Sequence, residues 1–148
     1  MFPDPTLRWR GFPSIIDGIA RPPFARDRGL WRGVLYLLIL SPKPSVRHYG
    51  IEIPCKVYFG VDEMIYSVAD HGGGTGAYDG DIYIKEADTS ALLTAYNTID
   101  PMGRTARHFS FVGGDYCYEA LGFSEPTVRM FADDEAAWAW NPANPDDR

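Results

Sequence analysis

The chain has 148 residues, of which 45% are apolar and 23% are charged. This composition is typical of a folded protein, and the length allows one hydrophobic core but not two ordinary domains. The net charge of -6 is uneven, because residues 1–50 carry eight Lys or Arg against three Asp or Glu, and the remainder carries six against seventeen. An acidic body repels phosphate backbones, so nucleic-acid binding is not expected.

The first segment, residues 1–32, is rich in proline and arginine. Proline fixes φ and has no N–H to donate, so this segment is predicted to be an extended or irregular arm. The folded domain is predicted to span residues 33–141, and residues 142–148 are predicted to be a disordered tail.

The longest apolar run, VLYLLIL at residues 34–40, has seven residues, whereas a membrane-spanning helix needs about 20. We therefore expect either a buried strand or one turn of a longer element. No membrane span is expected, and the protein is predicted to be soluble and cytoplasmic.

Strand-like sequence begins at residue 51, where β-branched and aromatic residues in CKVYFG, VDEM and IYSVAD flank a short polar turn. This pattern predicts a β-hairpin. A further strand is predicted for DIYIK at residues 81–85, which alternates Ile with Tyr and Lys. The sequence DHGGGTGAYDGD, which carries five glycines in twelve residues, lies before it at residues 70–81.

The glycine loop does not match a nucleotide-binding motif. A P-loop needs Lys followed by Ser or Thr, and the loop has no Lys; a dinucleotide fingerprint needs a following helix, whereas a strand follows here. HGGG at residues 71–74 matches the oxyanion stretch of some esterases. However, the nearest string to a nucleophile elbow, GFSEP at residues 122–126, lacks the final Gly. A serine hydrolase is therefore not predicted.

A metal site is the stronger chemical alternative in the same loop, because Asp70, His71, Asp79 and Asp81 offer oxygen and nitrogen ligands. Their spacing matches no EF-hand or zinc pattern. Asp79 followed by Gly80 is typical of a tight turn into a strand. We favour the turn and predict no cofactor, with a small metal-dependent enzyme as the alternative.

The apolar period changes to that of a helix after this strand. Apolar residues recur at i, i+3, i+4 and i+7, as Leu92, Ala95, Tyr96 and Ile99. Asp88, Thr89 or Ser90 can cap the start of the helix, and Pro101 with Gly103 ends it.

Four more elements are predicted beyond the helix. ARHFSFV at 106–112 and TVRMF at 127–131 are typical of strands, and DYCYEALG at 115–122 and DDEAAWAW at 133–140 of helices. The predicted fold is a single α+β domain with a mixed sheet, an N-terminal β-hairpin, a C-terminal βαβαβα half and helices on one face.

The cysteines and histidines form no recognisable motif. Cys55 and Cys117 are too few for a disulfide scaffold or a paired-cysteine zinc site, so they are predicted to be separate buried thiols. His48 and His108 have no partner at catalytic spacing. Each is interpreted as a surface or hydrogen-bonded core imidazole.

DTSALL at residues 88–93, placed after a strand and opening a helix, resembles the Asp-Ser-Ser-Gly-Leu signature of STAS domains. This family includes the anti-sigma factor antagonists and the tails of sulfate transporters. ARHFSFV, EALGF and TVRMFADDEAAWAW follow in the family's order, so the resemblance covers residues 81–140. It implies a non-catalytic switch in which Thr89, directly after the signature Asp88, is phosphorylated by a kinase and controls docking to that kinase.

The chain departs from the STAS pattern in two places. Ala91 stands where the signature has Gly, and the glycine loop stands where the family has a helix. Either that helix is lost, the N-terminal half supplies a different layer, or the likeness is accidental.

The function predicted from these observations is that of a non-catalytic regulatory or binding domain. It would act through a protein partner, or through a small ligand, at a surface formed by Asp88, Thr89 and Ser90 with Gly73 and Gly74 of the glycine loop. One alternative is an acidic inhibitor or immunity-type protein that blocks a basic partner. The sequence predicts no oligomeric state.

Overall fold

The computed structural model describes residues 6–18, 23–42, 47–62, 82–113 and 116–147. These ranges contain nine strands, two α-helices and a final 3-10 turn at Pro145–Asp147. In chain order the elements are β1 (Arg8–Gly11), β2 (Phe24–Trp31), β3 (Val34–Leu40), β4 (His48–Pro54), β5 (Val57–Asp62), β6 (Ile84–Thr89), α1 (Ala91–Ile99), β7 (Arg107–Val112), β8 (Tyr116–Gly122), β9 (Thr127–Met130) and α2 (Asp134–Ala139).

The strands form two sheets in which every neighbouring pair is antiparallel. The five-stranded sheet has the order β1-β6-β7-β8-β5, and the four-stranded sheet has the order β2-β3-β4-β9. The predicted α+β fold, with its STAS-like βαβαβα half, is therefore wrong. Such a half needs parallel strands joined by helical crossovers, and the described strand pairs include none.

The segment DYCYEALG, predicted as a helix, is strand β8 between β7 and β5. Glu119 and Leu121 point to one face of the sheet and Tyr118 and Ala120 to the other, and all four are buried. A strand buried on both faces shows no polar alternation, so its apolar spacing also fits a helix. The error follows from burial on both faces.

Several elements match their predictions. The run at 34–40 is the buried strand β3, and β7, β9, α1 and α2 form where the sequence predicts them. Segment 1–32, which lies outside the domain predicted at 33–141, contributes β1, which pairs with β6, and β2, which pairs with β3. The strand predicted at 81–85 begins at Ile84 and continues to Thr89. Much of the predicted hairpin after residue 62 lies outside the described residues.

The main core lies between the two sheets. Leu35, Leu37 and Ile51 of the four-stranded sheet pack in one cluster with Phe109 and Phe111 of the five-stranded sheet. The thiols predicted to be buried and separate are confirmed as free and buried. The two sheets therefore form a β-sandwich.

Helix α2 covers the outer face of the four-stranded sheet. Ala137 and Trp140 pack there against Tyr36 and Leu38. A Cβ atom at Gly50 would lie 2.9 Å from the Trp140 ring, so the ring can approach β4 this closely only because residue 50 is glycine.

Helix α1 lies on the outer face of the five-stranded sheet. Strand β7 directs Phe109 to the core between the sheets and His108 and Ser110 to this outer face, in keeping with the two-residue period of a strand. Both faces of β7 are buried at these positions. Polar side chains of the sheet therefore lie beside the predicted site at the start of α1.

Candidate functional site

The three residues predicted to form the switch surface are consecutive where β6 meets α1, but they have different surroundings. Asp88 Oδ1 accepts a hydrogen bond from Arg10 Nε at 2.8 Å. Thr89 Oγ1 donates to the carbonyl oxygen of Thr6 at 2.6 Å. Asp88 and Thr89 are exposed, whereas Ser90 is buried. Only the first two are available to a partner at the surface.

Ser90 is the N-cap of α1, a role for which the sequence offered three residues. Its Oγ accepts a hydrogen bond from the backbone N–H of Leu93 at 3.1 Å. This bond satisfies one of the N–H groups that the first turn of a helix leaves without an intrahelical partner. Ser90 therefore fixes the start of the helix.

The other predicted site residues lie outside the described residues. Gly73 and Gly74 of the predicted binding surface belong to this group, as do the alternative metal ligands Asp70, His71, Asp79 and Asp81. The predicted nearness of the glycine loop to Thr89 thus remains a prediction. Among the described residues, no group of three or more His, Cys, Asp or Glu side chains is arranged to hold a metal ion.

The apolar side of α1 is turned toward the surface instead of the core. This α1 apolar face consists of Leu92, Ala95, Tyr96 and Ile99. No residue of α1 is buried, and Ile99 is 72% exposed. Ala95 is also exposed, and Leu92 and Tyr96 are half-buried. The predicted helix is confirmed, and its apolar face is largely uncovered.

The contacts of α1 explain this orientation. Leu93 packs against Trp9 and Ala87 on the five-stranded sheet. Asn97, one turn further along, accepts a hydrogen bond at its Oδ1 from the backbone N–H of Ala106 at 3.0 Å. Residues four apart lie on the same side of a helix. The domain therefore holds α1 by the side that carries Leu93 and Asn97.

The exposed apolar surface continues past the end of α1. Met102 is 73% exposed, and the Phe123 ring lies 5.8 Å from the Tyr96 ring. Arg104 stacks 4.2 Å from the Phe123 centroid and donates to Asp100. The hydrogen bond from Arg104 lowers the pKa of Asp100, against the opposing effect of desolvation. The charges nearest the α1 apolar face therefore neutralise each other.

A chain of hydrogen bonds joins three buried side chains beneath the start of α1. Ser90 Oγ lies 2.9 Å from His108 Nδ1, and His108 Nε2 lies 2.7 Å from Glu119 Oε1. Each of the three residues is at most 3% exposed, and the Trp9 ring meets the imidazole edge-on at 5.0 Å. A hydroxyl, an imidazole and a carboxylate in this order can move a proton away from the hydroxyl.

The sequence alone does not reveal this chain of hydrogen bonds, because its three residues are far apart in the sequence. The interpretation of His108 as a hydrogen-bonded core imidazole is confirmed, but its partners are 18 and 11 residues away. Only the register of β7 with β8 brings Glu119 near it. The one available signal was the single charge of Glu119 inside the apolar run YCYEALGF. His48 is also bonded, to Asp134 at 3.2 Å.

A second polar group spans β1, β6 and β7 of the five-stranded sheet. The Glu86 carboxylate accepts from Arg107 at 2.8 Å and from Arg10, which also binds Asp88. Arg107 reaches the exposed Glu125 at 3.2 Å. Burial alone would raise the pKa of Glu86, but hydrogen bonds and positive charge from Arg107 and Arg10 hold that pKa below its ordinary value. Glu86 is therefore an ionised carboxylate shared by two guanidinium groups.

Comparison with known proteins gives no assignment. No protein-family profile, curated protein or solved structure matches this chain. The described part of the chain has no helix that is both long enough and apolar enough to cross a membrane.

Proposed function

We propose that this protein is a binding domain that docks a protein partner through the α1 apolar face. One observation carries the proposal: α1 is a nine-residue helix with no buried residue, and Ile99 on its apolar side is 72% exposed. Exposed apolar side chains that cluster, as opposed to scattered single ones, mark interaction sites. The half-buried Phe123 ring contacts Tyr96 of this face, and Met102, three residues beyond Ile99, is 73% exposed.

The charge of this surface defines the partner. The segment from Ser90 to Ile99 contains no charged residue, and Asp100 is paired with Arg104. The whole chain carries a net charge of -6, and none of that charge lies on α1. A partner that binds α1 therefore experiences little electrostatic repulsion or attraction there. The occupant is therefore a protein with an apolar, uncharged groove, into which an amphipathic helix fits.

Ile99→Asp is expected to weaken binding of that partner by about tenfold or more, because burial of an Ile side chain contributes ~1.5–3 kcal/mol and an unpaired charge would be buried in its place. Thr98→Asp is the matched control, since it adds the same charge at the next exposed position, outside the α1 apolar face. Tagged wild type and both variants are used to capture partners from a lysate of the source cell, and the amount of each captured protein is measured.

Salt separates this proposal from the acidic-inhibitor alternative. Raising ionic strength from about 0.1 M to about 1 M shortens the screening length from ~10 Å to ~3 Å. Binding through a neutral apolar face should persist across this range. A partner that is kept by Ile99→Asp and lost at high salt would contradict the proposal and favour the acidic surface.

If Ile99→Asp instead abolishes only self-association, measured by sedimentation equilibrium, the occupant is a second copy of the chain.

Thr89 is the proposed control point of this docking surface. Its hydroxyl is exposed, and its bond to Thr6 ties the N-terminal segment to the start of α1. Thr89→Glu should weaken partner binding, because a carboxylate adds charge at this surface and cannot donate to the Thr6 carbonyl. Thr89→Val removes the hydroxyl without adding charge. Equal binding by Thr89→Glu and wild type would remove Thr89 from the proposal.

A further inference from the structure

We propose that Ser90 is a nucleophile that hydrolyses small carboxylic esters, with His108 as its base and Glu119 positioning His108. The proposal goes beyond docking at the α1 apolar face and does not depend on it. It begins with the hydrogen-bond chain beneath α1, in which Ser90 Oγ is 2.9 Å from His108 Nδ1 and His108 Nε2 is 2.7 Å from Glu119 Oε1.

The direction of donation follows from the chemistry of the three groups. An ionised Glu119 carboxylate can only accept, so the proton between Glu119 and the imidazole is on His108 Nε2. The neutral imidazole then carries its lone pair on Nδ1, which accepts from the Ser90 hydroxyl. A base therefore stands at hydrogen-bond distance from the proton that must leave the nucleophile, and a carboxylate orients that base.

The position of Ser90 favours negative charge on its oxygen. Ser90 lies between β6 and α1, and its Oγ accepts from the Leu93 N–H at 3.1 Å. The positive end of the dipole of this nine-residue helix points at the same place. Charge that develops on an acyl oxygen beside Ser90 would meet this end, which is the electrostatic arrangement that stabilises tetrahedral intermediates.

One further polar side chain lies on the same face of the sheet as His108. Ser110 is fully buried, and its hydroxyl has no hydrogen-bond partner among the described residues. It lies on the same face of β7 as His108, two residues along the strand, and pairs across the sheet with Lys85 and Glu119. A buried hydroxyl without a partner is unfavourable. Because Ser110 aligns with Lys85, five residues before Ser90, it lies beyond His108 from Ser90 and is not counted as a contact of the acyl group.

Substrate reaches Ser90 when α1 lifts from the five-stranded sheet with its first turn still formed. Ser90 is only 1% exposed, so this opening is required. Helix α1 has no buried side chain, and the contacts that it would lose are the packing of Leu93 on Trp9 and Ala87 and the hydrogen bond of Asn97. Local opening of such elements has a lower free-energy cost than global unfolding. Reaction is accordingly expected to be slow.

The reaction is a two-step acyl transfer. In the first step a bond forms between Ser90 Oγ and the acyl carbon, the bond from that carbon to the alcohol oxygen breaks, and the Ser90 proton passes through His108 to the leaving alcohol. In the second step the water oxygen bonds to the acyl carbon, the bond from that carbon to Ser90 Oγ breaks, the water proton passes through His108 to Ser90 Oγ, and a carboxylic acid leaves. Ester and water are consumed, and acid and alcohol are formed.

The test uses the full chain with two probes, p-nitrophenyl acetate and a fluorescent fluorophosphonate, which loses fluoride when its phosphorus bonds to a nucleophilic oxygen. The expected results are release of p-nitrophenol and an adduct on Ser90, located by peptide mass spectrometry. Ser90→Ala should abolish both. Glu119→Gln should lower the labelling rate by about 10²-fold, because the amide cannot hold the imidazole in the reactive tautomer.

Three controls keep a structural role apart from a chemical one. Ser124 is an exposed serine, so Ser124→Ala should leave labelling unchanged. Circular dichroism and thermal unfolding show whether each variant folds. Protein denatured before addition of the probe should not react. An absent adduct on Ser90 in folded wild type, or equal labelling rates in wild type and folded Glu119→Gln, would overturn the proposal and leave the three residues as a helix-capping network.

Discussion

Gly122→Ala is expected to lower the free energy of unfolding by about 3 kcal/mol, at the upper end of the usual cost of overpacking. Gly122 ends β8 beside the link between β4 and β5. A Cβ atom there would overlap the carbonyl oxygen of Pro54 and lie 3.0 Å from Cys55 Cα. These are backbone atoms, so no side-chain rotation can relieve the overlap. One of the two strands must move.

The location makes this movement costly. The backbone N–H of Lys56 donates to the carbonyl of Leu121 at 2.7 Å, and that of Cys55 donates to Gly33 at 2.8 Å. The chain passes between the two sheets at this link, so a shift at Gly122 disturbs both sheets. Chemical denaturation followed by circular dichroism measures the loss.

Gly11→Ala is the matched control, because it is also a glycine-to-alanine change at the end of a strand. A Cβ atom at Gly11 would meet only the Ile82 side chain, at 3.2 Å, and a side chain can adjust. The expected loss is below about 1 kcal/mol. If the two variants lose equal free energy of unfolding, overlap with the backbone at Gly122 is not the cause of the destabilisation.

The parts of the fold that could be predicted from the sequence are those with local signals. Both α-helices have a capping residue followed by apolar residues at helical spacing, and both form where predicted, with Ser90 and Asp133 as their N-caps. The run at 34–40 is buried as expected, because seven consecutive apolar residues in β3 need cover on both faces. Local chemistry determines these elements.

Strand pairing could not be predicted in the same way. In β8, Cys117 and Leu121 are four residues apart and satisfy helical spacing, yet β7 and β5 bury both faces of this segment. Proline in segment 1–32 indicated extended backbone, but nothing local indicated that β1 would pair with β6, about 75 residues later. Such choices depend on distant partners, and the resemblance to STAS domains over residues 81–140 gave the wrong layout for the same reason.

The candidate site shows the same division. Asp88, Thr89 and Ser90 were correctly placed at the start of a helix, because capping is a local property. The outward direction of the α1 apolar face could not be predicted, since it depends on Leu93 and Asn97 meeting the five-stranded sheet. The hydrogen bonds of His108 could not be predicted from the sequence either, because only the register of the sheet brings its partners within hydrogen-bond distance.

Glu86→Gln is expected to lower the free energy of unfolding by about 2 kcal/mol at neutral pH, because hydrogen bonds to charged groups contribute ~1.5–3 kcal/mol and the two arginines are only partly buried. The Glu86 side chain is 7% exposed and accepts from Arg107 at 2.8 Å and from Arg10. Gln has nearly the same shape as Glu but no negative charge, so both guanidinium groups lose the carboxylate that pairs with them. Glu125→Gln is the control, because Glu125 is 61% exposed and its one partner among the described residues is Arg107, at 3.2 Å. Its expected cost is below about 1 kcal/mol.

The pH dependence of this difference distinguishes lost charge from lost packing. The pKa of Glu86 in the folded protein lies below its ordinary value, because the arginines outweigh the effect of burial. The unfolded chain therefore takes up a proton first as pH falls, so the stability that the carboxylate supplies is complete above the ordinary pKa of Glu. It is lost as pH falls through the lower pKa of the folded state. Urea unfolding of wild type and Glu86→Gln at a series of pH values should show curves that converge in acid. A gap that stays constant at low pH would mean that Glu86 stabilises the five-stranded sheet by shape and neutral hydrogen bonds, and that its charge contributes little.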